Sequence, residues 1–298
     1  MEFTFPISGV HTFLWLPPLV AFCVSFLTSM VGLSGAFLLL PFQMSVLGFV
    51  SPAVSGTNLV FNIVAAPGGI LGFLREKRML WPLAWIIVAG SVPGIFLGGL
   101  IRLNWLPDSG HFKVFVGLVL LYIGTRLVYD IRRNRIRAGG TAGAAGSQLF
   151  EVHSVGVTWR RLTYRFQDRD HACSLPSVFC LSLVVGTLGG VYGIGGGAVI
   201  APFLVAIYGL PVYTIAGATL IGTFATSVAG TAFYQIAAPF YAGMQVRPDW
   251  MLGLLFGLGG CFGTYCGSRM QRFVSSKWLK ILLAILILFV AVDYLVGH

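Results

Sequence analysis

Charge is what this chain has least of. Asp, Glu, Lys and Arg together make up 9% of its 298 residues, against about 25% in an ordinary soluble domain. None of the four occurs from 3 to 74, from 171 to 246 or from 250 to 268. Too few charges remain to solvate a globular surface, which excludes a water-soluble enzyme, a nucleic-acid binder and a disordered chain. Cysteines are scarce and scattered: Cys23, Cys173, Cys180, Cys261 and Cys266 are odd in number and lack any CxxC spacing, so no disulfide framework or zinc site is expected. The segment MEFTFPISGVHTF has an acidic residue and no basic n-region, so it is not read as a cleaved signal peptide. The five histidines fall in loops or at termini, and no nucleophile–base pair or metal-ligand cluster lies within an apolar run. No enzymatic activity, metal or cofactor is expected.

Apolar residues are abundant, at 57%. They gather in segments near 14–31, 35–50, 53–74, 79–101 and 112–130, and again near 177–192, 196–209, 212–236, 249–269 and 277–296. One bilayer crossing needs about 20 apolar residues. The fold class is therefore an all-α polytopic membrane protein with the lipid bilayer as its surroundings. Trp81, Trp85, Trp105 and Trp278 lie near segment ends, where indoles anchor at the lipid–water boundary. Between the two sets lies a polar linker, 131–174, that opens RRNRIR, passes a Gly/Ala-rich stretch and ends in alternating residues around QDRD, the pattern of a small β-hairpin. The domain plan is a first membrane repeat at 12–130, this linker, and a second membrane repeat at 175–298.

The two sets are related. Residue n set beside n+161 aligns Gly32 with Gly193, Gly35 with Gly196, Pro41 with Pro202, Phe42 with Phe203 and Gly56 with Gly217; later the offset is 167, where Arg102 meets Arg269 and Lys113 meets Lys280. Such self-similarity implies duplication. Five segments per copy is odd, so the second copy enters the membrane upside down. Basic residues agree: Arg75, Lys77 and Arg78 follow the third segment, whereas in the second copy Arg269, Arg272, Lys277 and Lys280 follow the fourth. Under the positive-inside rule, an inverted pair puts every basic residue except Arg102, Lys113 and Arg247 on the cytoplasmic side. Both termini then face outward.

A site is expected at the first two segments of each copy. They are short, each pair is broken by glycines, and matched interruptions in two inverted halves point to a transporter's binding site. The breaks are GLSGA, with Gly32, Ser34 and Gly35, and GIGGGA, with Gly193, Gly195, Gly196 and Gly197. Two shallow hairpins entering from opposite faces would bring two helix N-termini together near the midplane. Each N-terminus carries about half a positive charge and several unpaired N–H groups, which suits a small anion without any Lys or Arg. Asn58 and Asn62 on one helix face, and Thr219 and Thr223 on the matching one, either contact that solute or hydrogen-bond between helices. The glycines at 90, 94 and 98, and at 253, 257, 259, 263 and 267, keep small-xxx-small spacing and read as helix packing.

GVYGIGGGAVIAPFLVAIYGLP, followed by IAGATLIGTFATSVAGT, resembles the second-half signature of the TauE/SafE family of sulfite and organosulfonate permeases. SMVGLSGAFLLLPFQMSVLGF, VSGTNLVFNIVAAPGGI and PGIFLGG resemble its first half, although Ser34 and Ala36 stand where the other half has Gly195 and Gly197. The resemblance implies a permease for a small sulfur-containing anion in a bacterial inner membrane. With no Asp or Glu deep in a span to relay protons, export by alternating access under the membrane potential is the expected mechanism. An anion channel, or proton-linked uptake of a different small anion, stays open, as does homo-oligomerisation.

Overall fold

A backbone lying in lipid has no water to bond with, so each apolar run closes its N–H and C=O groups within a helix. The computed structural model describes residues 2–29, 34–75, 79–137, 153–158, 160–166, 169–208, 210, 212–270 and 276–296. These residues hold ten α-helices: α1 Leu16–Ser29, α2 Ala36–Ser45, α3 Ala53–Arg75, α4 Trp81–Asn104, α5 Ser109–Arg137, α6 Leu175–Tyr192, α7 Gly196–Tyr208, α8 Val212–Ala237, α9 Trp250–Met270 and α10 Ser276–Val296. Among them α3, α4, α6, α8 and α9 are long and apolar enough to cross a membrane. The chain is a multi-pass membrane protein. α5 extends past the apolar segment at 112–130 because its basic tail contains no Gly or Pro to stop it.

The linker contributes more than one hairpin. Strands β3 His153–Thr158, β4 Arg161–Phe166 and β5 Arg169–Ser174 form an antiparallel sheet in that order. The expected ribbon is β4–β5, where Phe166 pairs with Arg169, and β3 adds a third strand. The Gly/Ala-rich stretch near 139–147 lies outside the described residues. Tyr164 pins the sheet to the start of α8: its hydroxyl shares a 2.8 Å hydrogen bond with Thr214 Oγ1, and its ring stacks on His171. Burial pushes the Tyr164 phenol up to about 12 and the Cys173 thiol up to about 11, so both are neutral at physiological pH. His153 and His171 thus stand in strands, and His111 in the first turn of α5, where the sequence suggested loops.

A second small hairpin was not foreseen. β1 Glu2–Thr4 pairs with β2 His11–Phe13, and each is too short for alternation to show. Ser8 in its turn donates from both N and Oγ to Asp249 Oδ2, while Asp249 Oδ1 accepts from Leu252 N at the start of α9. One carboxylate thus caps a membrane helix and ties down the N-terminal hairpin.

Glycine contacts give the direction of each helix pair. Along α4, Gly90, Gly94 and Gly98 meet Phe179, Leu183 and Thr187 of α6 in ascending order, so the two run the same way. Gly259, Gly263 and Gly267 of α9 likewise meet Pro18, Phe22 and Phe26 of α1, and Gly253 and Gly257 meet Val60 and Val64 of α3. α4 runs with α8 as well, since Gly222 meets Ile87 and Gly99 meets Phe233. By contrast Gly56 meets Tyr234 and Gly69 meets Leu220, so α3 and α8 oppose each other; Gly117 with Leu295 and Gly124 with Leu288 make α5 and α10 opposed too. Hence α1, α3 and α9 point one way, and α4, α6 and α8 the other.

The small-xxx-small reading holds. A methyl on Gly94 would stand 2.5 Å from Leu183 O and 2.8 Å from Thr187 N, and one on Gly259 would stand 1.9 Å from Pro18 O. These neighbours are backbone and cannot swing aside. Gly94→Val is therefore expected to lower the unfolding free energy by roughly 2 kcal/mol or more, as overpacking does. Gly72→Ala in α3 meets nothing within 4 Å and should raise it by about 0.5–1 kcal/mol. Denaturation of the detergent-purified variants decides both, and equal effects would overturn this packing account.

Candidate substrate site at the two helix breaks

The chain breaks twice inside the helical layer, between α1 and α2 and between α6 and α7. At the second break Gly193 has φ of 82° and Gly195 a φ of 77°, left-handed values that a side chain would strain. Gly193 N donates to Gly189 O at 2.8 Å and closes α6, and Gly196 opens α7. Gly196 and Gly197 are also packing glycines: a methyl on the first would meet Ser91 Cβ at 2.8 Å, and one on the second Thr219 O at 2.1 Å. At the first break Gly32 lies outside the described residues. Gly35 is in ordinary helical conformation, with φ of −61°, and its added methyl would stand 2.6 Å from Ser25 Oγ.

Both breaks meet on α3. Asn58 Nδ2 donates to Ala36 O of one break at 3.2 Å and to Gly193 O of the other at 2.9 Å. One turn on, Asn62 Nδ2 donates to Ile194 O at 2.9 Å, and its Oδ1 accepts from Ser34 Oγ at 3.2 Å. Gln43 Nε2 donates to Asn58 Oδ1 at 3.4 Å, and Tyr192 OH donates to Phe37 O at 2.9 Å, a further bond across the two breaks. Asn58, Gln43 and Tyr192 are fully buried and Asn62 nearly so. Asn62 stands close to the middle of α3, and Gly196 N reaches Thr226 at the middle of α8.

The matching polar faces expected on α3 and α8 differ in what they do. Thr219 Oγ1 donates to Ala216 O and Thr223 Oγ1 to Thr219 O, so both hydroxyls turn back into their own helix. A threonine hydroxyl is short enough to reach the carbonyl three or four residues back, whereas an asparagine amide reaches across to a neighbour. The α8 residue that holds the second break is Thr226, whose Oγ1 accepts from Gly196 N at 3.1 Å and donates to Gly222 O. Thr226 continues the stripe of Thr219 and Thr223 by one more turn, which was the signal available for it. Gln43, a lone amide inside FLLLPFQMS, was similarly visible.

Chemically, the region offers amides, hydroxyls and the positive starts of α2 and α7, with no formal charge on any residue named so far. Among the described residues no cluster of His, Cys, Asp or Glu could hold a metal ion. Residues 18–294 match the family described as "Sulfite exporter TauE/SafE". The chain belongs to that family. Membership agrees with the multi-pass bundle of apolar helices described above. Across 191 residues the chain is 26% identical to the "Probable membrane transporter protein YunE" of Bacillus subtilis (strain 168), a match covering 61% of this chain. It spans 64% of that relative's length. No solved structure matches the chain.

In this TauE/SafE member the joint between the breaks rests on amide donors from α3. Asn58→Ala takes the amide donor from buried Gly193 O and the acceptor from buried Gln43 Nε2, which costs about 1–3 kcal/mol each. Thr219→Val removes a hydroxyl bonded only to its own helix and should cost less than about 1 kcal/mol. Unfolding curves of the two variants should therefore separate clearly, and coincident curves would show that Asn58 does not join the breaks.

Proposed function

We propose that this transporter moves a small sulfur-containing oxyanion, sulfite or an organosulfonate, outward by alternating access. The reading places the solute where the two helix breaks meet, among Gly32, Ser34, Gly35, Asn58 and Asn62 of the first half and Gly193, Gly195, Gly196, Gly197, Thr219 and Thr223 of the second. The observation that carries it is the pair of bonds from Asn58 Nδ2 to Ala36 O and Gly193 O, which brings the starts of α2 and α7 to one place. Two helix starts together offer the equivalent of about one positive charge. Nearby backbone N–H groups suit the oxygens of an oxyanion.

The halves, 12–130 and 175–298, are read as inverted repeats. Helix directions support this: α1, α3 and α9 oppose α6, α8 and α4, so each of these helices runs against its counterpart. Partners exchange in the same way, α1 packing on α9 as α6 packs on α4. The swapped basic loops then set the linker and its β-sheet in the cytoplasm and both termini outside a cell inner membrane.

The driving force follows from charge. Moving one charge through 100 mV is worth about 2.3 kcal/mol, a ratio near fifty-fold, and a cell interior is negative. A monovalent anion therefore leaves without a coupled ion. Purified protein in liposomes should carry sulfite or a sulfonate with saturable kinetics, at a rate that follows the sign of an imposed potential. Gly195→Leu, which puts a side chain at a left-handed position 3.0 Å from Ser227 Oγ, should cut that flux more than tenfold in protein that still inserts. Flux no faster than in protein-free liposomes ends the substrate reading. Unchanged flux in Gly195→Leu moves the site elsewhere.

A further inference from the structure

The apolar segments put Arg102 in the connection after 79–101, among the three basic residues that fall on the outer side. It stands instead in the last turn of α4 and is fully buried. Nη1 donates to Leu106 O, and the guanidinium lies 3.7 Å above the centroid of the Phe112 ring. Nε and Nη2 have no partner among the described residues. The acidic neighbour Asp108 does not supply one: its Oδ2 is turned to Gly110 N, His111 N and His111 Nδ1 at the protein surface. Its counterpart in the second half, Arg269, is exposed and rests over Tyr265, as an orienting cation does.

Asp108 acts on Arg102 only at a distance, and a buried cation with no carboxylate bonded to its free N–H groups is costly. Two free N–H groups on one planar fork match two oxygens of an oxyanion. The surroundings connect this fork to the helix break. Tyr234 on α8 is fully buried, and its hydroxyl donates to Gly190 O in the last turns of α6. One and two turns back along the same face of α8 stand Thr231 and Ser227, both buried, whose hydroxyl oxygens lack partners among the described residues. Ser227 in turn faces Gly195.

We propose that Arg102 is a second oxyanion-binding site, at the end of α4, from which the unpartnered hydroxyls of Thr231 and Ser227 lead the transported anion to and from the α6–α7 break. The proposal rests on the permease reading for the identity of the anion. With Arg102 wholly enclosed, the anion meets it in a state that opens this end of the bundle, which alternating access supplies.

The test is binding, measured apart from transport. Sodium sulfite is titrated into the full-length protein in nanodiscs at constant ionic strength, and the rise in unfolding temperature gives an apparent Kd. Arg102→Gln is expected to weaken it at least tenfold, while Arg269→Gln stays within twofold. If Arg102→Gln does not accumulate as folded protein, Arg102→Lys keeps the charge over Phe112 but loses the fork, and should weaken binding at least threefold. An unchanged Kd in whichever Arg102 variant folds, or an equal loss in Arg269→Gln, overturns the proposal. So does a wild type that sulfite does not stabilise. Arg102-dependent binding in a protein that moves no sulfite through liposomes would uphold this site and sink only the permease reading.

Discussion

Interrupting a helix inside a bilayer uncovers carbonyls and amides that lipid cannot solvate, each worth several kcal/mol if left alone. This fold has two such interruptions, and the rest of its core is arranged to satisfy them. Asn58 donates to a carbonyl of each break, Asn62 to a third, Tyr192 to a fourth, and Thr226 accepts from the first N–H of α7. The amides must be buried to do this. Once buried and paired they hold the two breaks together, so the satisfaction of the backbone and the shape of the centre are one constraint. Glycine elsewhere serves that constraint. The close approaches of α4 to α6 and of α9 to α1, backbone against backbone, bring the broken helices near enough to α3 and α8 to be reached.

Much of this was legible in the residues. The apolar segments located eight of the ten helices to within about three residues at each end, because in lipid apolarity and helicity are the same requirement. α2 and α5 are the exceptions: α2 ends at Ser45, short of the apolar run near 35–50, where Gly48 takes a left-handed φ of 67°, and α5 continues through its basic tail to Arg137. The glycine spacing gave the packing faces, and the n+161 alignment pointed to both breaks. What periodicity could not give was the difference between amide and hydroxyl. Asn58 and Thr219 occupy matching positions and both read as polar, but only geometry shows one reaching across and the other folding back. Arg102 was misread for a related reason: a basic residue at a segment end is usually wet, and its burial depends on the α4–α5 corner closing over it. The third strand of the sheet and the N-terminal hairpin are too short and too irregular to carry a pattern.

Stability and function pull on the same atoms here. Asn58 makes all the hydrogen bonds its amide N–H groups allow, both to backbone, so in this conformation it is a clasp. Among the described residues the buried unpartnered groups are Gln43 Oε1 and the Ser51 hydroxyl, Ser25 beside Gly35, Ser227 beside Gly195, Thr231 beyond it and Arg102 at the end of α4. Buried polar atoms without partners are uncommon in a settled structure. Two of them, Ser227 and Thr231, stand one turn apart on α8 between the second break and Arg102, the line that the proposed anion path follows.

The two halves are unequal in ways that bear on direction. Ser34 stands where Gly195 does, Asn58 and Asn62 where Thr219 and Thr223 do, and buried Arg102 where exposed Arg269 does. If the halves are inverted copies, perfect equivalence would make the inward-open and outward-open states mirror images of equal energy. These substitutions remove that equality. They cannot, however, choose the direction of net transport. A carrier that couples to nothing must relax the electrochemical gradient of its solute, whichever state it prefers, because binding free energies around a closed cycle sum to zero. What asymmetry can alter is the affinity on each side and the rate of return of the empty carrier. A guanidinium buried at one end, where the matching Arg269 is exposed, would lower the concentration at which an anion is held on that side. On the proposed reading, direction belongs to the electrochemical gradient of the anion, and the unequal halves decide only how readily each face releases it.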